Sequence, residues 1–192
     1  MGRQKKYAEE DVIAKATEAF WKHGYERTSV RDLEREMGIN QFSIYSSFGS
    51  KKGVFLKALE HYESEVEHIF LSDLIHSEGD VADIEKFFNS FVQSVQSGKT
   101  PNGCLMANTA MSVEQKDTDV REQLNRFFDL LHDVFIGVLQ KAQRRGKVPE
   151  HANTERLANY LVGCTEGLAV TAKVLDKKKL EDFIAVTLQS LQ

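Results

Sequence analysis

The run Gln41-Phe42-Ser43-Ile44-Tyr45-Ser46 offers the side-chain types that read a nucleic-acid groove. The Gln41 amide can pair with adenine through one donor and one acceptor, while Ser43 and Ser46 bring hydroxyls. Phe42 and Tyr45 bring apolar edges for thymine methyls. Thr28, Tyr45 and Lys51 are candidate phosphate contacts. Thr28 precedes one expected helix start and Lys51 opens another, and free backbone amides at such ends favour an anion. A second reading has Thr28 and Ser29 acting only as helix caps and Tyr45 only packing. Arg3, Lys5 and Lys6 suit either a DNA backbone or minor groove, or water.

Other constellations were weighed for different chemistry. His61, Glu65 and His68 fall at i, i+4 and i+7, a spacing that could hold a metal, yet Glu60, Glu63 and Glu67 around them suit a solvated charged face. No metal and no cofactor are expected. A Gly-rich phosphate loop, a nucleophile elbow and an HExxH run are all missing, so the chain does not read as an enzyme. Cys104 and Cys164 form neither a CxxC pair nor a disulfide framework, which predicts free thiols in a reducing cytoplasm. Phe87, Phe88, Phe91, Phe127, Phe128, Phe135 and Tyr160 recur at helical spacing and fit a core or the lining of an apolar pocket.

The elements that must position these residues are helical. Only 2 Pro occur, against 12 Gly, so long stretches run without a breaker and the fold class is all-α, with about nine helices. Ile13, Ala16 and Phe20 predict a first amphipathic helix ending at His23-Gly24. Ser29-Val30-Arg31-Asp32 forms a capping-box start for a second helix that stops at Gly38. Asn40 restarts the chain as a third helix, Gln41 to Phe48, with Ile39, Ile44 and Phe48 toward the core. Two short helices joined through Gly38 read as a helix-turn-helix. Further helices are expected over 51–71, 81–96, 119–144, 153–175 and 180–191, with a short one after the Thr100–Gly103 turn.

Charge agrees with this division only when resolved along the chain. The whole carries a formal −4, but residues 1–60 hold 11 Lys/Arg against 9 Asp/Glu, and the other 132 hold 14 against 20. A mildly basic reader precedes an acidic remainder. No secretory signal follows the N-terminal cations, and no run approaches the roughly 18 apolar residues of a membrane span. A cytoplasmic location, at the nucleoid when bound to DNA, is expected, with no membrane partner.

Several separated motifs now stand in order: Phe20-x3-Gly24-Tyr25-x2-Thr28-Ser29-Val30-Arg31-Asp32-Leu33, Met37-Gly38-Ile39, and Ile44-Tyr45-x2-Phe48-x-Ser50-Lys51. Together they resemble the TetR/AcrR family of bacterial transcriptional regulators. The resemblance implies a helix-turn-helix DNA-binding domain over 1–50, with a connecting fourth helix over 51–71. It implies that residues 51–192 bind an effector and dimerise through the last two helices. The partners expected are a palindromic double-stranded operator, a small-molecule or electrophile effector, and a second copy of the chain. The role expected is repression, relieved by the effector. The alternative is a DNA-bound adaptor that recruits a protein and takes no small ligand. Phe42 and Ser46-Ser47 depart from the residues usual in the family.

Gly103-Cys104-Leu105-x-x-Asn108 and Gly167-x4-Ala172-Lys173 are similar to one electrophile- and oxidant-responsive branch of that family. The resemblance makes Cys104 a candidate sensor, activated by a helix start and a nearby Lys173. Cys104 equally fits a small buried apolar residue. Asn108, Phe91, Phe127 and Tyr160 complete the candidate effector residues. Gly163, Cys164 and Gly167 are read as packing positions on a helix of the subunit interface.

Overall fold

A computed structural model of the chain describes residues 7–192, and Arg3, Lys5 and Lys6 lie outside them. The described residues form helices and no strands. The helices are α1 (Glu9–His23), α2 (Val30–Met37), α3 (Gln41–Phe48), α4 (Lys51–Val66), α5 (Ser72–Ile75), α6 (Val81–Gln96), α7 (Leu105–Ala110), α8 (Thr118–Arg144), α9 (Thr154–Thr171) and α10 (Lys177–Gln189). A π-helical stretch, Glu67–Leu71, joins α4 to α5, so these described residues make nine continuous helical rods. The expected stop near 71 is corrected to Ile75. A wider π turn absorbs the register change there without ending the rod.

The chain divides into two compact units. The first runs to Glu65 and includes Asn108–Gln123; the second comprises Val66–Ala107 and Leu124–Gln192.

In the first unit, α1 buries one stripe, Val12, Ile13, Ala16, Ala19 and Phe20. It meets α2, where Leu33 and Met37 are buried, and α4, where Val54, Phe55 and Ala58 are, while Ile44 of α3 is buried as well. Each large apolar side chain here contributes roughly 1.5–3 kcal/mol on burial. Thr17 Oγ1 adds a hydrogen bond to the Ala58 carbonyl at 3.3 Å, tying α1 to α4. The first turns of α8, with Asp117 just before them, are fastened to α4 at two points. Lys52 Nζ lies 2.5 Å from Asp117 and 2.9 Å from Asp119, and Gln123 Nε2 donates to Glu63 at 2.6 Å.

In the second unit, α6 presents Ile84, Phe87, Phe88, Phe91, Val92 and Val95 inward. Phe87, Phe88 and Phe135 of α8 form a ring cluster with centroids 5.3–6.2 Å apart. Helix α10 packs Leu180, Ile184 and Thr187 against this body, and α6, α9 and α10 touch one another. Side-chain caps start three of the helices: Asp80 on α6, Asn153 on α9 and Asp176 on α10. The last helix therefore begins at Lys177 rather than the expected Leu180, and α9 stops at Thr171 rather than at 175. Asp176 Oδ1 accepts from the Lys179 amide at 3.0 Å, which favours a fresh start over continuation. No helix among the described residues is long and apolar enough to cross a membrane.

Candidate nucleic-acid interface and effector body

The reading helix α3 is set by its two ends. Ser29 and Asp32 close a reciprocal box at the start of α2: the Asp32 amide donates to Ser29 Oγ at 3.2 Å, and the Ser29 amide to Asp32 Oδ2 at 3.0 Å. The donors from Ser29 hold the Asp32 carboxyl below the usual carboxylate range. Helix α2 then ends on Gly38, whose φ of 70° is left-handed and suits glycine. Two residues later Asn40 Oδ1 accepts from the Ser43 amide at 2.9 Å and starts α3. The Gln41 amide donates to Glu34 at 3.2 Å, which fixes α3 against α2.

With Ile44 buried, the other side of α3 faces out. Gln41 and Ser46 are exposed, Ser43 is half-buried, Phe42 is 81% exposed and Tyr45 43%. Phe42 and Tyr45 thus leave aromatic ring surface open on the same helix as the exposed Gln41 and Ser46. Ile39 and Phe48 are half-buried, shallower than the expected core positions. Lys51 Nζ lies 4.2 Å from the centroid of the Tyr25 ring, and that ring packs on Phe20 and Phe55. The lysine head is thus held over an aromatic face. Lys52 differs, since hydrogen bonds to Asp117 and Asp119 push it well above the ordinary lysine range. Burial, with Asp117 next, raises the Tyr25 hydroxyl.

Thr28 corrects the expectation of a phosphate contact. Its side chain is 1% exposed and its hydroxyl donates to the Gly24 carbonyl at 2.8 Å. The α1–α2 loop carries an acceptor at Gly24, and the hydroxyl satisfies it from within. His61, Glu65 and His68 are not brought together. Among the described residues no group of three His, Cys, Asp or Glu side chains is placed to hold a metal, and His68 falls in the π-helical stretch.

The second unit holds five of the six candidate effector residues, while Asn108 belongs to the first. Phe91 is buried with its ring 6.0 Å from that of Phe70, and Phe127 is buried 5.7 Å from Phe128. Gly103 has a φ of +71°, and a Cβ there would collide with the carbonyl oxygen of Ala169 on α9. The same Cβ would stand 3.4 Å from Cδ and Cε of Lys173, so the lysine stem runs past the turn. Cys104 follows, 6% exposed, with its Sγ accepting from the Ala107 amide at 3.4 Å at the start of α7. Tyr160 departs from the expected lining. It is 43% exposed, and its neighbours are Cys164, Thr187 and Ser190 at the α9–α10 contact.

Two family models match the chain. Residues 12–58 match "Bacterial regulatory proteins, tetR family", and residues 81–187 match "Tetracyclin repressor-like, C-terminal domain". The chain belongs to the tetR family. This tetR-family chain is a DNA-binding transcriptional regulator and not an enzyme. It is 29% identical to the HTH-type regulator YezE of Bacillus subtilis, with 100% of both chains covered. It is 27% identical to the repressor ComR of Escherichia coli, covering 90% of this chain and 82% of ComR. Among solved structures, a cysteine mutant of the TetR family regulator CifR, complexed with 26 bp operator DNA, superposes with a TM-score of 0.88. That likeness spans 100% of both chains at 24% identity.

Two residues of this tetR-family regulator went unmarked by sequence reasoning. Lys52 differs from Lys51 only through Asp117 and Asp119, which are remote in sequence. Glu166 is the sole charged residue of the run 161–172, and that isolation was a signal. Both its carboxylate oxygens are buried with no hydrogen-bond partner among the described residues. Burial alone raises this carboxyl to about 7.

Proposed function

We propose that the chain is a transcriptional repressor that binds a palindromic operator as a homodimer and releases it when a small apolar or electrophilic effector binds. The outward face of α3 carries this reading. Gln41, Phe42, Ser43, Tyr45 and Ser46 form a compact polar and aromatic surface, with Lys51 held over Tyr25 for a phosphate. One such helix reads too few base pairs for useful specificity, whereas a two-fold pair reads half-sites about 34–36 Å apart. A homodimer through the last two helices is supported by their exposed apolar side chains, Tyr160, Val170, Phe183 and Val186, with Val174 between them. Residues 1–50 are the reading domain, α4 the connector, and 51–192 the effector-binding and dimerising part. The similar CifR, whose cysteine mutant is complexed with operator DNA, supports the DNA target.

The effector shifts the equilibrium only by its differential affinity for the two states. Cys104, at the start of α7 beside the Lys173 stem, is the electrophile target, with Phe91 and Phe127 on the apolar side of the body. The test selects operator sequences from a random duplex pool with the full chain, then measures their release by a quinone or hypochlorite. Selection of an inverted repeat, released in wild type and retained in Cys104→Ser, is the expected result. Equal release in both removes Cys104 from the mechanism, and failure to enrich any repeat refutes the dimeric reader.

A further inference from the structure

Glu166 has no structural work to do in the protomer. Its two carboxylate oxygens meet neither solvent nor a hydrogen-bond donor among the described residues. A buried carboxylate left alone is among the more unfavourable arrangements in a protein interior. Sequence spacing and two contacts locate it. Glu155, Val162, Glu166 and Ala169 follow steps of seven, four and three, so they share one side of α9. At one end of that side Glu155 meets His132 of α8 at 3.2 Å. At the other, the Ala169 carbonyl faces Gly103, immediately before Cys104. Glu166 therefore sits one helical turn from the Gly103-Cys104 turn, at the border between that side of α9 and the exposed side that carries Gly163 and Val170. Tyr160 and Gly167 lie on a different side, toward α10, where a Cβ on Gly167 would stand 3.9 Å from the Phe183 ring. Ala169, one turn past Glu166 on the side that starts at Glu155, is buried, and so are Cys104, Leu105 and Met106, which follow the Gly103 that its carbonyl faces.

We propose that Glu166 is the polar anchor of the effector site, and that the effector is a small, mostly apolar molecule carrying a basic nitrogen. This rests on the reading that the helical body takes a small ligand. In the ionised form that a cationic partner favours, the carboxylate only accepts, so its partner must donate, and an ammonium supplies both donors and the opposite charge. A neutral alcohol supplies one donor and no charge, and an anion is repelled. Such a site has the composition usual for small ligands, an apolar lining with one fixed polar point.

The test titrates the full chain with three matched probes, phenylethylamine, phenylethanol and phenylpropionate, by calorimetry. Wild type is expected to bind the amine about tenfold tighter than the alcohol, with the carboxylate weakest. Glu166→Gln is expected to lower the amine to the level of the alcohol and leave the alcohol unchanged. Equal affinities for amine and alcohol in wild type, or a preference retained in Glu166→Gln, overturn the anchor while the effector body stands. Failure of all three probes to bind wild type overturns the anchor and the small-ligand reading together. A change in dimer dissociation in Glu166→Gln, with amine binding intact, assigns the carboxylate to the subunit contact and also overturns it. Glu166→Leu, with a melting temperature at or above wild type, checks that the fold survives loss of the carboxyl.

Discussion

Replacing Glu166 by Gln should flatten part of the dependence of stability on pH. The carboxyl of Glu166 rises from an ordinary 4.5 to about 7 because burial disfavours the charged form. Between those two values the folded chain holds a proton that the unfolded chain has released. The unfolded state then binds fewer protons, so stability falls as pH rises through this window and levels off above it. From about pH 5 to about pH 8, the two pKa values give a loss of about 2.5 kcal/mol from this residue. The amide of Gln does not titrate, so the variant lacks that slope while keeping every other titrating group. Denaturant unfolding of both proteins at the two pH values, at equal protein concentration, reads the difference directly. The expected result is that wild type loses about 2.5 kcal/mol more than Glu166→Gln over this interval. Parallel losses within about 0.5 kcal/mol would refute the argument, because they would mean the carboxyl is solvated or partnered in solution.

Four further substitutions address the reading domain and the turn beside Cys104. Lys51→Ala should weaken operator binding across sequences and reduce the slope of log affinity against log salt by about one, as read by fluorescence anisotropy at several salt concentrations. Gln41→Ala should leave that slope unchanged and relax preference at one base pair, costing about 1–3 kcal/mol at that position in a competition with single-base operator variants. Ser29→Ala removes one half of the capping box and should lower stability by about 1 kcal/mol in urea unfolding. Gly103→Ala should be more harmful than its size suggests, by more than about 1 kcal/mol on the same measurement, since its φ is left-handed and the added methyl meets the Ala169 carbonyl.

The reading domain was legible because its signals are local. Ser29 with Asp32, Gly38, and Asn40 each act within four residues, and each boundary they mark is found within a residue of its expected place. The tetR-family assignment drew on the same short-range features. What escaped depends on contacts between distant parts of the chain. Thr28 turned inward because Gly24 presents a carbonyl, and residue type alone gives no direction to a hydroxyl. The π-helical stretch at Glu67–Leu71 leaves no trace in a pattern read at 3.6 residues per turn. Helix α10 begins three residues before its first buried side chain, Leu180, because Asp176 caps it and the lysines of its first turn are solvated. Tyr160 resembled the other aromatics in spacing, and only the position of α10 separates it from Phe91 and Phe127.

Lys52 bears on how heads can be exchanged between relatives. Its two carboxylate partners, Asp117 and Asp119, and the Gln123 partner of Glu63 all come from a stretch more than fifty residues downstream. The reading end of the molecule is therefore discontinuous in the gene. A chimera cut once after residue 50 keeps Lys52 with its native aspartates but joins α4 to a foreign α3. A cut after Glu65 strands Lys52 from Asp117 and Asp119 altogether. Transplanting this specificity intact means moving two pieces of coding sequence, the first 65 codons and the short block for 108–123.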